Sequence, residues 1–244
     1  MTAAFAASRR DLALAAAIVT WIAAGLALDV GAGPGRQVLI GVATWLLLLL
    51  ALSRESRPVQ LQVGVAVLVA TATEVVASLV LGLYEYRLGN VPAFVPPGHG
   101  LVYLSALALG RSQLLAAVRR PLLLACLAAV GAWALWGVTV SPRPDLLGAL
   151  LALVLAAFLL RGRAPLVYAA AFVVTSYLEL LGTTLGTWAW VPHAPFSSAL
   201  TMGNPPSGIA GAYCVLDATA LAGGALIGAR LARTRLSPAE AVPS

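Results

Sequence analysis

Residues 60–86, QLQVGVAVLVATATEVVASLVLGLYEY, form an apolar run broken by one carboxylate, Glu74, and closed by Leu81-Gly82-Leu83-Tyr84-Glu85-Tyr86. Residues 164–190, APLVYAAAFVVTSYLELLGTTLGTWAW, repeat the plan with Glu179 and Leu185-Gly186-Thr187-Trp188-Ala189-Trp190. Each run matches the ~20 residues needed to cross ~30 Å of hydrocarbon. After each comes a proline-rich return that opens another apolar run, Pro96-Pro97-Gly98-His99-Gly100 in one copy and Pro205-Pro206-Ser207-Gly208 in the other. Acid, glycine, two alternating aromatics, Pro-Pro and helix recur in one order, which predicts an internal duplication.

Outward from these two segments the chain is apolar throughout. Of 244 residues 61% are hydrophobic and 10% charged, with a mean hydropathy of +0.94. A water-facing surface needs about 25% charged residues, so a soluble domain is excluded. Hydropathy and breakers predict eight spans, about 11–28, 37–53, 60–83, 99–118, 121–140, 145–161, 164–186 and 208–230. The fold class expected is all-α, a polytopic membrane helix bundle of about eight transmembrane helices in two parallel repeats of four. One membrane domain covers 1–244, with repeat one about 11–118 and repeat two about 121–235. Four helices separate Glu74 from Glu179, so the halves share an orientation about an axis along the membrane normal. The Arg9-Arg10 pair before an apolar run resembles a signal peptide, but no small-residue cleavage site follows, so the segment reads as a retained first helix.

All 15 basic residues are arginines. They occur singly and in small groups between apolar segments, a pattern that excludes a nucleic-acid partner and reads as topology signals. With a cytoplasmic N-terminus, Arg9, Arg10, Arg54, Arg57, Arg119, Arg120, Arg161, Arg163, Arg230, Arg233 and Arg235 fall inside. Only Arg36, Arg87 and Arg143 fall outside. The expectation is a multi-pass protein of the cell membrane with both termini cytoplasmic. The long loops 84–98 and 187–207 then lie outside, and their sparse charge predicts that they fold back over the membrane.

Of the nine acidic residues, Asp11, Glu55, Glu85, Asp145 and Glu240 sit in loops or near ends, and Asp29 closes the first span. Glu74, Glu179 and Asp217 lie within spans. A carboxylate at the bilayer centre costs ~2.5–3.5 kcal/mol, so each is a functional-site candidate. At 1.5 Å per residue all three fall ~10–14 Å below the outer boundary, a depth at which they could line one pocket. Crowded in low dielectric they would not all ionise, and a neutral acid beside a carboxylate is what general acid–base catalysis needs. Thr71 and Ser78 beside Glu74, and Thr175 and Thr183 beside Glu179, add polarity on the same faces; such hydroxyls also serve as plain interhelical glue.

Tyr84, Tyr86, Trp188 and Trp190 fit either an interfacial belt or the wall of a substrate pocket, where aromatic faces stabilise cations. His99 at the outer mouth suits a cap or proton relay, and Tyr213 stands one turn before Asp217. These six are the candidate substrate-binding residues. Arg111, inside the fourth span, is expected to snorkel inward. Cys126 and Cys214 read as small apolar residues, and no metal or cofactor is implied.

The acid, the Gly-x-aromatic-x-aromatic segment and the proline-rich return resemble membrane proteins of carotenoid biosynthesis. Glu74, Gly82, Tyr84 and Tyr86 match a segment of the carotenoid 1,2-hydratase family. Glu179, Gly186, Trp188 and Trp190 are similar to the repeated unit of membrane lycopene cyclases, which carry paired acids where this chain has Gly98-His99 and Ser207-Gly208. Small membrane-bound terpene cyclases use an early acid and one in the last helix, as Glu74 and Asp217 are placed. The resemblance implies protonation of a lipophilic isoprenoid or polyene in a dry cavity, then hydration or cyclisation, an activity of lyase or isomerase type. The bilayer and a lipophilic small molecule are the partners implied, with oligomeric state open. A small proton-coupled transporter is the alternative, since duplicated halves around intramembrane acids describe carriers too. A blind apolar cavity ending at the acids favours the enzyme, and a through-going polar path the carrier.

Overall fold

The computed structural model describes residues 2–235, with side chains from residue 7 to residue 234; Glu240 lies outside the described residues. The chain is mostly helical: α1 (Thr2–Asp29), α2 (Pro34–Leu52), α3 (Arg57–Glu74), α4 (Val95–Gly110), α5 (Gln113–Ala117), α6 (Arg119–Thr139), α7 (Leu146–Arg161), α8 (Pro165–Thr184) and α9 (Ala210–Arg235). Prolines in the first turn start α2, α3, α4 and α8, where no intrahelical N–H is lost. A π-helical turn, Val75–Val80, extends α3 directly after Glu74. Four short strands, β1 (Tyr84–Tyr86), β2 (Trp188–Trp190), β3 (His193–Ala194) and β4 (Ser197–Thr201), lie in the two long loops.

Six helical stretches are long and apolar enough to cross a membrane: Ala7–Asp29, Pro34–Leu52, Arg57–Val80, Arg119–Thr139, Pro165–Thr184 and Ala210–Thr234. Six such helices are consistent with a multi-pass membrane protein. Large apolar side chains on these helices point outward, with Leu39, Leu46 and Leu68 each more than 60% exposed. Such a surface is stable only in contact with lipid. α4 and α7 have 16 residues each, short of a full crossing by length alone.

α4 and α8 form the centre. Leu101–Ala106 and Val167–Phe172 are buried at every position, so these helices are wrapped on all sides. α4 packs along α8, and α3 along α9, in the two most extensive helix contacts of the fold. Between the pairs, β1 and β2 run antiparallel, Tyr84 opposite Trp190, Glu85 opposite Ala189 and Tyr86 opposite Trp188. Gly82 and Gly186 turn the chain into these strands with φ of 61° and 71°, a conformation other residues adopt only with strain.

The expected fourth span, 99–118, corrects to a helix that begins at Val95 and ends at Gly110. Arg111 and Ser112 break the chain, and the apolar 114–117 run belongs to the separate α5. Arg111, expected to snorkel inward, is engaged by two carboxylates. It donates to both carboxylate oxygens of Asp11 and of Glu55 at 2.7–2.9 Å, binding α1, the α2–α3 loop and α4 together. At the other end of the bundle Asp29, fully buried, accepts from Gln37 and Arg87. Asp145 caps α7 and also receives the Gly203 and Ser207 amides at 2.8 and 2.6 Å, pinning the second long loop.

α7 approaches the start of α9 through glycine. A methyl group on Gly208 would meet backbone atoms of Ala152 and Gly148, and one on Gly211 the Leu151 carbonyl. Gly208→Ala is therefore expected to cost about 1–3 kcal/mol or more by overpacking, seen as a lower Tm in detergent. Gly131→Ala, where nothing lies within 4 Å, should leave Tm unchanged or slightly raised.

Candidate functional site

Glu74 is the last α-helical residue of α3 and is 7% exposed. Alternation along β1 sends Tyr84 and Tyr86 inward and Glu85 outward. Both phenols donate to Glu74 Oε2 at 2.7 Å. Burial first, and then the Glu74 charge, pushes both phenols well above their ordinary range, so they remain donors. Glu74 Oε1 meets His99 Nε2 at 2.8 Å, the imidazole arriving on the first turns of α4.

Glu179 on α8 has a parallel arrangement built from indoles. β2 turns Trp188 and Trp190 inward, and their Nε1–H groups donate to Glu179 Oε2 at 3.0 and 3.2 Å. The Tyr213 hydroxyl stands 3.5 Å from Oε1, a long contact. The two cradles interlock: Tyr84 packs on Trp190 with ring centres 4.6 Å apart, and Tyr86 on Trp188 at 6.0 Å. Tyr213 stacks on His99 at 5.4 Å and 23° between planes. The four aromatics are thus buried hydrogen-bond donors to carboxylates; Tyr86 and Trp188 line the cavity described next, whereas Tyr84 and Trp190 do not.

Both carboxylates face one cavity of about 660 Å³, its mouth included. Part of its lining is a connected group, Glu74, His99, Glu179, Tyr213, Tyr86 and Trp188. The rest of the wall is Trp21, Ile22, Gly25 and Leu26 of α1, Ile40 and Thr44 of α2, Phe94, Val95, Gly98, Leu101 and Val102 of the α4 region, and Leu178 of α8. Trp21 donates its Nε1–H to Thr44 at 3.1 Å, which satisfies the main polar pair of that wall and leaves the surface apolar. Nothing in the sequence singled out the α1–α2 wall, since ordinary membrane-span residues build it.

Asp217 is placed differently from expectation. It is 4% exposed, one turn beyond Tyr213 on α9, and does not line the cavity; its Oδ2 has no hydrogen-bond partner. The flanking hydroxyls turn elsewhere: Thr71 bonds the Val67 carbonyl, Thr183 the Glu179 carbonyl, and buried Thr175 has no partner. Among the described residues no group of three His, Cys, Asp or Glu side chains is placed to hold a metal. Chemically, two carboxylates, an imidazole and aromatic faces can move protons and stabilise positive charge.

Comparison with known proteins returns no match: no family model, no curated protein and no solved structure is significantly similar to the chain.

If the phenols satisfy Glu74, removing either leaves a buried carboxylate short of a donor. Tyr84→Phe and Tyr86→Phe are each expected to cost about 1–3 kcal/mol. Chemical unfolding in detergent measures this, and wild-type midpoints for both variants would show that the two contacts contribute nothing.

Proposed function

We propose that this protein is an integral-membrane enzyme that hydrates or cyclises a lipophilic isoprenoid or polyene by acid–base chemistry. One observation carries the reading: a largely apolar cavity is lined in part by a connected cluster of Glu74, His99, Tyr213 and Glu179. An apolar wall accepts a hydrocarbon chain, and a few convergent polar groups orient its reactive part. A proton added to a double bond there leaves a carbocation between two carboxylates and the faces of Tyr86 and Trp188. Water then adds and gives its proton back, or an adjacent C–H gives up a proton after ring closure. No net proton is consumed by either course.

The reading includes two parallel repeats, eight spans and cytoplasmic termini. Its support is the symmetry of the strand pair. Exchanging Tyr84 with Trp188 and Tyr86 with Trp190 maps the register onto itself. The flanking bonds from Arg87 N to the Thr187 carbonyl and from Val191 N to the Leu83 carbonyl, both 3.0 Å, map onto each other as well. The first copy has one more residue than the second between its acid and its glycine. The π-helical turn Val75–Val80 absorbs it, as π-bulges do.

The proton-coupled carrier rests on one observation, the unpartnered Asp217 buried off the cavity. A single experiment separates the readings. Wild type, Glu74→Gln, Glu179→Gln and Asp217→Asn are expressed in a host that supplies linear isoprenoids, and lipid extracts are compared by mass spectrometry. The enzyme reading expects a new isoprenoid product in wild type and Asp217→Asn, reduced by about 100-fold or more in the two glutamine variants. An unchanged lipid profile in the wild-type host sinks it.

A further inference from the structure

We infer that His99 is the proton-transferring group of this cavity, held for that task by Glu74 as a positioning residue. The inference deepens the acid–base reading above and rests on it.

Counting donors and acceptors leads there. Glu74 Oε2 already accepts two phenolic protons, and Oε1 is directed at His99 Nε2. Both oxygens of Glu74 are thus engaged, Oε2 by two phenols and Oε1 by the imidazole. Glu179 Oε2 faces two indole N–H groups, which only donate, so that oxygen cannot hand a proton outward; its Oε1 has one long contact, the Tyr213 hydroxyl at 3.5 Å. His99 has one nitrogen engaged. Its Nδ1 makes no hydrogen bond within the described residues, and the imidazole lines the cavity. Tyr213 stacks on the ring and fixes its plane. A carboxylate on one imidazole nitrogen, with the other nitrogen facing the reaction space, sets the tautomer and stabilises the imidazolium.

The second copy supplies an internal contrast. Pro96-Pro97-Gly98-His99 aligns with Pro205-Pro206-Ser207-Gly208, so the position of His99 is taken there by glycine. Any side chain on Gly208 would strike the α7 backbone, and the matching space is closed. Only the first half can carry an imidazole.

In the step assigned, the π electrons of an electron-rich double bond take the Nδ1 proton, forming a C–H bond and a carbocation on the neighbouring carbon. The neutral imidazole stays bonded to Glu74 through Nε2. The proton released by the attacking water, or lost from carbon after ring closure, returns to Nδ1. The groups that face His99 are Glu74 from α3, Glu179 from α8 and Tyr213 from α9, with no titratable group from α1 or α2 on the cavity wall.

Two measurements test this. The chain has two histidines, so imidazole 15N spectra of the protein in micelles, assigned with His193→Gln, report His99 without any substrate. Neutral His99 is expected to carry its proton on Nε2; an Nδ1-protonated tautomer overturns the assignment. Separately, membranes from an isoprenoid-supplying host carry wild type, His99→Ala or Glu179→Gln, with and without added imidazole. The product is expected to fall by about 100-fold or more in His99→Ala, and imidazole should restore it at least about tenfold there but not in Glu179→Gln. His99→Ala membranes that keep full output, or that stay silent with imidazole, overturn the role of His99 while a silent Glu179→Gln leaves the acid–base reading standing. Full output from every variant overturns that reading itself.

Discussion

The structure depends on a cost that cannot be avoided: a carboxylate carried into a membrane helix must find hydrogen-bond donors there, because lipid offers none. α3 and α8 meet this cost with donors from the loops, at Glu74 and Glu179, whereas Asp217 on α9 is left with an unpartnered Oδ2 among the described residues. Four donors come from two three-residue strands that pair with one another, and the pairing is what aims them. Were β1 to slip by one residue against β2, Glu85 would turn inward and both phenols outward, leaving Glu74 unsatisfied. The glycines at 82 and 186, the alternation of the aromatics and the burial of the acids are therefore consequences of one requirement.

The same requirement explains why the two long loops are ordered although they carry little charge. Asp145 gathers three backbone amides, and Arg143 donates to the carbonyls of Met202 and Trp190 at 2.6 Å. These bonds hold the second loop against the bundle, and the loop in turn holds β2 under Glu179. Arg111 does comparable work at the opposite end by joining Asp11 and Glu55. Positioning of the site is thus distributed over polar residues outside the cavity.

Much of this could be read before any coordinates. The apolar runs located most helix ends to within about five residues, the start of α1 and the end of α4 excepted, because length and polarity decide whether a segment can lie in lipid. Glu74 and Glu179 were identifiable for the same reason, and the repeated aromatics marked the segments that serve them. What could not be read is which groups meet. Periodicity placed Asp217 at the depth of the glutamates, yet depth fixes one coordinate, and its direction around α9 takes it off the cavity. The fourth span ran too far because hydropathy averages over the Arg111–Ser112 break. Arg111 and Asp145 gave no local sign of their partners, which lie up to 100 residues away in sequence.

The two cradles look alike but cannot do the same chemistry. A phenol both donates and accepts, and an imidazole exchanges roles between its nitrogens, so protons can pass through the groups around Glu74. An indole only donates. Around Glu179 the Oε2 oxygen is locked by two groups that can neither take up nor pass on a proton. The groups around Glu74 can therefore pass a proton along, whereas those on Glu179 Oε2 cannot. Glycine at position 208 is the packing counterpart of that difference: the half that holds its acid still also closes its cavity. On the proposed reading, a positive centre in the cavity would lie between groups around Glu74 that can reclaim a proton and the second carboxylate, Glu179.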